Sequence, residues 1–160
     1  MRYNVTEYAN SQLYGLPVAV IDFETTGVDP HLCRAVEMAI VHLELGKANP
    51  EVVYKSRFNP GIPIPEGASD IHGIRDEDVA NEPFFGDAIE EINVLLEGRV
   101  LAAYNLPFDW TVLNCEYRRS GRWHPTERQR LDMGHQFFGL CGLVMAREVD
   151  NYSRGRGFHK

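Results

Sequence analysis

Asp22 and Glu24 stand two residues apart at the end of the apolar run Val18-Ala-Val-Ile-Asp-Phe23. Side chains along a strand alternate between faces, so residues two apart project from the same face of a sheet. Two like charges placed there repel each other and are costly to desolvate unless something positive lies between them. A hard divalent cation bound through oxygen, Mg²⁺ or Mn²⁺, is the simplest remedy; the plainer alternative is that both carboxylates emerge into solvent where the strand ends. Thr25-Thr26-Gly27 then closes the strand as a Ser/Thr-type turn would. A third acid, Asp109, follows a junction at which Asn105 and Pro107 signal a helix start. That placement puts Asp109 in the first helical turn, aimed back toward the sheet end carrying Asp22 and Glu24. Taken singly, Asn105 could be only an N-cap and Asp109 only a compensator of the helix dipole.

The elements around these residues can be read from periodicity. Residues 18–23 form a short, β-branched, nearly continuous apolar run, the pattern of a buried central strand. Residues 35–45 and 51–58 are alternating or apolar runs on either side of a Gly46-to-Pro50 turn, which predicts two more strands in a meander. Residues 59–74 hold Pro60, Pro63, Pro65 and three glycines without periodicity, a loop that ends in Ile71-His72-Gly73-Ile74. From Pro83 to Glu97 apolar residues recur at three- and four-residue steps, predicting an amphipathic helix stopped by Gly98. Residues 99–104 predict a buried strand and 105–119 a helix. A further helix is expected over about residues 134–148, although Gly139 and Gly142 oppose it. The order β-β-β-α-β-α-α implies an α/β sheet with both antiparallel and parallel pairings, covered by helices.

Bulk properties bound what this arrangement can serve. The chain has 160 residues, 44% of them apolar, enough for one core without covalent staples. Residues 1–15 are a polar arm and residues 16–160 the expected domain. Cys33, Cys115 and Cys141 are odd in number and lack C-x-x-C spacing, which argues against a disulfide framework or zinc knuckle and for a reducing cytoplasm. No apolar stretch is long enough to span a bilayer, so no membrane partner is expected. The net charge of −7 is unevenly spread: residues 1–117 hold seven basic and nineteen acidic residues, whereas residues 118–160 hold nine and four. An acidic domain does not exclude nucleic acid, because bound divalent cations offset carboxylates where a phosphate must approach.

Three segments share one resemblance. Asp22-Phe-Glu24-Thr-Thr-Gly27 has the form D-x-E-T-T-G and resembles the first exonuclease motif of the DEDD (DnaQ-like) 3′→5′ exonucleases, proofreading subunits included. Ser69-Asp-Ile-His-Gly-Ile-Arg-Asp-Glu-Asp-Val79 is similar to the family's I-H-G-I-T-x-E-x-V segment, with Arg75 in place of Thr. Ala103-Tyr-Asn-Leu-Pro-Phe-Asp109-Trp-Thr-Val-Leu113 resembles H-N-x-x-F-D-x-x-F-L, with Tyr104 in place of His. The resemblance implies a ribonuclease H-like α/β fold, a mixed central sheet with flanking helices. It also implies that Asp22, Glu24 and Asp109 ligate two Mg²⁺ or Mn²⁺ ions for hydrolysis of the 3′-terminal phosphodiester of single-stranded DNA or RNA. Thr25, Thr26, Gly27, His72, Asn105 and Phe108 would hold the terminal nucleotide, and a DNA polymerase is a possible partner. The family's last motif, H-x-x-x-x-D or Y-x-x-x-D, does not occur. The residues five beyond His31, His42, His72, His124 and His135 are Val36, Lys47, Glu77, Gln129 and Leu140. The general base, the fourth carboxylate and the last helix are therefore expected to be missing from these 160 residues, leaving a feeble enzyme. The alternative is an inactive module that holds nucleic-acid ends or a polymerase without cleavage.

Overall fold

The computed structural model describes residues 15–121 and 139–142. Five strands, β1 (Pro17–Thr25), β2 (Ala35–Glu44), β3 (Glu51–Arg57), β4 (Val100–Ala103) and β5 (Gly139–Cys141), form one sheet in the order β3-β2-β1-β4-β5. The first three pair antiparallel, as the meander predicts, while β4 joins β1 and β5 joins β4 in parallel. The apolar run that precedes Asp22 thus becomes the middle strand, where Val18, Ala19 and Ile21 are fully buried.

Helices cover one face. A 3₁₀ turn (Phe85–Ala88) leads into α3 (Ile89–Leu96), and α4 (Leu106–Arg119) follows β4. Ala19, Ile21 and Phe23 of β1 and Met38 and Ile40 of β2 share a core with Ile89, Ile92 and Leu96 of α3 and Val112, Leu113 and Tyr117 of α4. Phe85 is the joint of that core. Its ring centroid lies 5.0 Å from that of Phe58, 6.1 Å from Phe23 and 6.2 Å from Tyr117. One aromatic ring therefore ties the sheet to α4, in the tilted and edge-on geometries aromatic quadrupoles favour.

Two stretches differ from expectation. Residues 59–74 are not structureless: α1 (Glu66–His72) lies within them, and α2 (Asp76–Val79) follows. No residue of α1 is buried, so it carries no apolar stripe for periodicity to register. It ends at Gly73, whose φ of 76° is left-handed and whose N–H donates to Ser69 O at 2.7 Å. The helix expected over 134–148 is contradicted at its centre, where Gly139–Cys141 is strand β5, registered against Leu101–Ala103. Gly139 is a poor helix former, and pairing with the free side of β4 satisfies the backbone instead, while Gly142 directly after the strand is helical. The rest of that span, the arm at 1–14 and the expected end before a missing last helix lie outside the described residues.

Replacing Phe85 with alanine should remove about 3–5 kcal/mol of stability, because its site is enclosed by three elements and cannot collapse. Urea unfolding monitored by circular dichroism measures it; a loss below about 1 kcal/mol would show that the joint is not there.

Candidate active site

The pairing of β1 with β4 ends at Val20 and Ala102, so the N–H of Phe23 extends beyond its neighbour strand. A backbone donor without a partner costs free energy once buried. Asp109 supplies the partner: its Oδ1 accepts the Phe23 N–H at 3.2 Å. Phe23 lies between Asp22 and Glu24, whose side chains project from the face opposite the core, so this bond draws all three acids to one sheet end. Asp22 is exposed, Glu24 half-buried and Asp109 5% exposed.

The grouping is electrostatically costly. Burial, then the charge of Asp22 and further the charge of Glu24, push the Asp109 carboxyl up to about 7, against the opposing pull of the Phe23 N–H and its own. Glu24 is raised by burial and by Asp22, with His72 and Lys55 acting in the opposite sense. Three oxygen donors of like charge fit a hard divalent cation, which would replace repulsion with attraction. Among the described residues, no three acidic, histidine or cysteine side chains close into a ready-made cage.

The turn after β1 is held by the two motif threonines and by three side chains that the motifs did not single out, Arg34, Glu116 and Arg119. Thr25 and Thr26 are buried; the Thr25 hydroxyl donates to Gly27 O at 2.7 Å, and the Thr26 hydroxyl accepts the Arg34 N–H at 3.0 Å. Both hydroxyls therefore shape the loop that presents the Thr25-Thr26-Gly27 backbone. At the far end of the loop, Glu116 of α4 is 1% exposed. It accepts from Arg34 Nε at 2.9 Å and Nη2 at 3.2 Å, from the Ala35 N–H at 3.0 Å and from Arg119 Nη1 at 3.1 Å. Arg119 also donates to Cys33 O and His31 O, both at 2.8 Å. Asp109 and Glu116 lie seven residues apart, two turns along one helix side. One helix therefore grips the chain before the loop, at Phe23, and after it, at Arg34–Ala35. The spacing was visible in the sequence, but not what the second acid would hold.

The His72 segment reaches the site through a bulge. Glu24 pairs with Glu37 and Thr25 with Ala35, so Val36 is the extra residue. It turns into a second apolar cluster with Ile64, Ile74 and Val79, which docks the segment bearing α1 and α2 beside β2. His72 Nδ1 accepts the Ile74 N–H at 3.0 Å, so the neutral ring carries its proton on Nε2. That Nε2 is shielded from water and has no hydrogen-bond partner, and the ring is near enough to Glu24 to favour its ionised form. At the start of α4, Asn105 is exposed at the N-cap position without a side-chain capping bond, and Phe108 packs half-buried against the main core. The structure thus brings Asp109 within electrostatic reach of Asp22 and Glu24, and His72 within reach of Glu24, with Thr25, Thr26 and Gly27 directly after Glu24.

The same fold is found in E. coli exonuclease I. The structure of that enzyme in complex with a dT13 oligonucleotide superposes with a TM-score of 0.65, covering 90% of this chain and 31% of that one at 19% identity. The fold is thus that of the ribonuclease H-like exonucleases. Residues 19–157 match the family described as exonuclease (RNase_T), and the chain belongs to that DnaQ-like family. The DNA polymerase III subunit epsilon-like protein of Rhodobacter capsulatus is 35% identical over 102 residues, 63% of this chain and 14% of that protein. The 3'-5' exonuclease DinG of Bacillus subtilis is 32% identical over 103 residues, 64% of this chain and 11% of that one. The chain spans a small part of the length of both relatives.

Two outcomes follow from this geometry. Asp109 has a raised folded-state value, so its contribution to stability is present below its ordinary value of 3.8 and is lost as pH rises through about 7. In chelator, Asp109→Asn, which keeps an oxygen for the Phe23 N–H, should melt near the parent at pH 4 and be more stable by on the order of 2–4 kcal/mol at pH 8. Equal melting of the two proteins across that range would show that Asp109 carries no such strain. Glu116→Gln leaves two arginines without their counter-charge and should cost about 3 kcal/mol. Amide exchange should speed up in residues 26–35 while the Phe85 region stays protected; uniform loosening would mean that Glu116 does not hold the loop specifically.

Proposed function

We propose that this chain is a metal-dependent 3′→5′ exonuclease domain that removes nucleotides from the 3′ end of single-stranded DNA or RNA. The observation that carries the proposal is the Asp109–Phe23 hydrogen bond, which joins the acid of one exonuclease motif to the two acids of another in a chain of that family. In this reading Asp22, Glu24 and Asp109 hold Mg²⁺ or Mn²⁺, two ions when substrate is present. Such ions, when bound, supply Lewis-acid neutralisation of the phosphate and lower the pKa of an attacking water.

The protein's own groups do the positioning. The Thr25-Thr26-Gly27 backbone, clamped at both ends by α4, lies against the terminal nucleotide. His72 offers it an Nε2–H that none of the described residues uses, and Asn105 and Phe108 border it from the start of α4. Proton transfer from the attacking water requires a general base, which typically contributes about 10²–10⁴-fold. Among the described residues none is assigned that role. The name of the Rhodobacter relative supports a DNA polymerase as a partner, and cysteines that form no disulfide support a cytoplasmic setting. No helix among the described residues is long and apolar enough to cross a membrane.

Calorimetric titration with Mn²⁺ should show binding that is lost in Asp22→Ala. With the same ion, a linear single strand bearing a 3′-hydroxyl should be shortened from that end while a circular strand of equal length resists. Cleavage of the circle at the linear rate would make the protein an endonuclease, and undiminished Mn²⁺ binding by the variant would remove the acids from the site.

A further inference from the structure

The sheet face that carries the acids continues across β2 onto β3. Asp22 pairs with Ala39 and Ala39 with Lys55, while Glu24 pairs with Glu37 and Glu37 with Arg57. Paired residues share a face, and neighbouring strands lie about 4.8 Å apart, so two cations run parallel to two carboxylates about 10 Å away. On the β4 side the site is closed by Asp109 and α4. Toward β3 the intervening side chains are the partly buried Ala39 and Glu37, which leaves an open path between the two rows.

Glu37 holds both cations in that row. Lys55 Nζ lies 3.1 Å from its Oε1 and Arg57 Nε 3.3 Å from its Oε2, with Arg57 Nη1 also 3.9 Å from Asp78 Oδ1. The Lys55 and Arg57 side chains are 62% and 41% exposed, that of Glu37 only 16%. Ion pairs this exposed are weak and exchange partners readily. Glu37 thus keeps two long side chains laid out over the face without sequestering their charge. A polyanion arriving from solvent meets them as free donors, in a domain whose surface is otherwise dominated by acids.

We propose that Lys55 and Arg57 bind the phosphates preceding the scissile one, so that single-stranded nucleic acid enters across β3 and β2 to reach the acids on β1. The inference rests on the 3′-exonuclease reading and adds the direction of approach and the residues that recognise the strand. Phosphates held there would make affinity depend on strand length, since a dinucleotide ends before the row and a longer strand crosses it. Glu37 competes with the strand for both cations, so its removal acts in the opposite direction to theirs.

The test uses the full chain with 5′-fluorescein oligothymidylates of two and eight nucleotides, titrated by anisotropy in Ca²⁺ over a range of salt. Lys55→Gln should lower the preference for the octamer over the dinucleotide and reduce the slope of log affinity against log salt by about 0.7, the value for one phosphate contact on a single strand. Glu37→Gln should raise that preference. An unchanged slope and length preference in Lys55→Gln overturns the inference, as does a shift confined to melting temperature, which would leave Lys55 as an edge-strand ion pair only. A parent that binds 3′-phosphorylated and 3′-hydroxyl octamers equally well overturns the 3′-end reading itself, and a parent that prefers the 3′-hydroxyl strand while the variant matches it in slope and length preference overturns only the path.

Discussion

One hydrogen bond sets the terms for the rest of this domain. The N–H of Phe23 lies beyond the reach of β4, and the carboxylate of Asp109 satisfies it from the start of α4. A neutral acceptor could meet the same backbone need. A carboxylate meets it while adding a third negative charge to a sheet end that already holds two, and burial raises the cost. Local stability is thus given up where Asp22, Glu24 and Asp109 converge, and a bound cation of the kind proposed would recover it. That is the usual relation between a strained cluster and a functional site.

Holding such a cluster requires rigidity elsewhere. The Glu116, Arg34 and Arg119 network is almost wholly buried on its acidic side and ties the end of the loop to the helix that ties its beginning. Buried ion groups of this kind add little net stability compared with apolar packing, since desolvation offsets much of the attraction. Their value here is geometric: a bidentate guanidinium and a backbone N–H fix the loop in one register, which an apolar contact would leave free to slide. The bulge at Val36 acts similarly for the His72 segment. One extra residue re-aims a side chain into Ile64, Ile74 and Val79 and brings an otherwise exposed helix beside the acids.

The charge distribution fits the same plan. An acidic domain repels nucleic acid at long range, and the acids on β1 deepen that repulsion until cations bind. Across the same face, Glu37 holds Lys55 and Arg57 on β3, so a cationic row on β3 faces the acidic row on β1 across Ala39 and Glu37 of β2. The pattern follows from pairing register alone. A shift of one residue in β3 would send both cations into the core face.

The sequence by itself determined the middle of the sheet and the identity of the acids. The run from Val18 to Phe23 is too apolar to be anything but a buried strand, and the period-2 rule places Asp22 and Glu24 together on whatever face is left. Asp109 was legible for the same local reason, since Asn105 and Pro107 open a helix just before it. Only the tertiary structure decided what those local features meet. The helix at Glu66–His72 buries nothing, so no periodicity announces it. The strand at Gly139–Cys141 exists because β4 has a free side, which no window around residue 140 can show. Glu116 looks like any other acid on a helix until Arg34, eighty-two residues away, is brought to it. The bulge at Val36 depends on how β1 and β2 slide against each other. Periodicity and capping are written within a few residues of chain, whereas partners, register and the burial that shifts a carboxyl to about 7 are properties of contacts between distant segments.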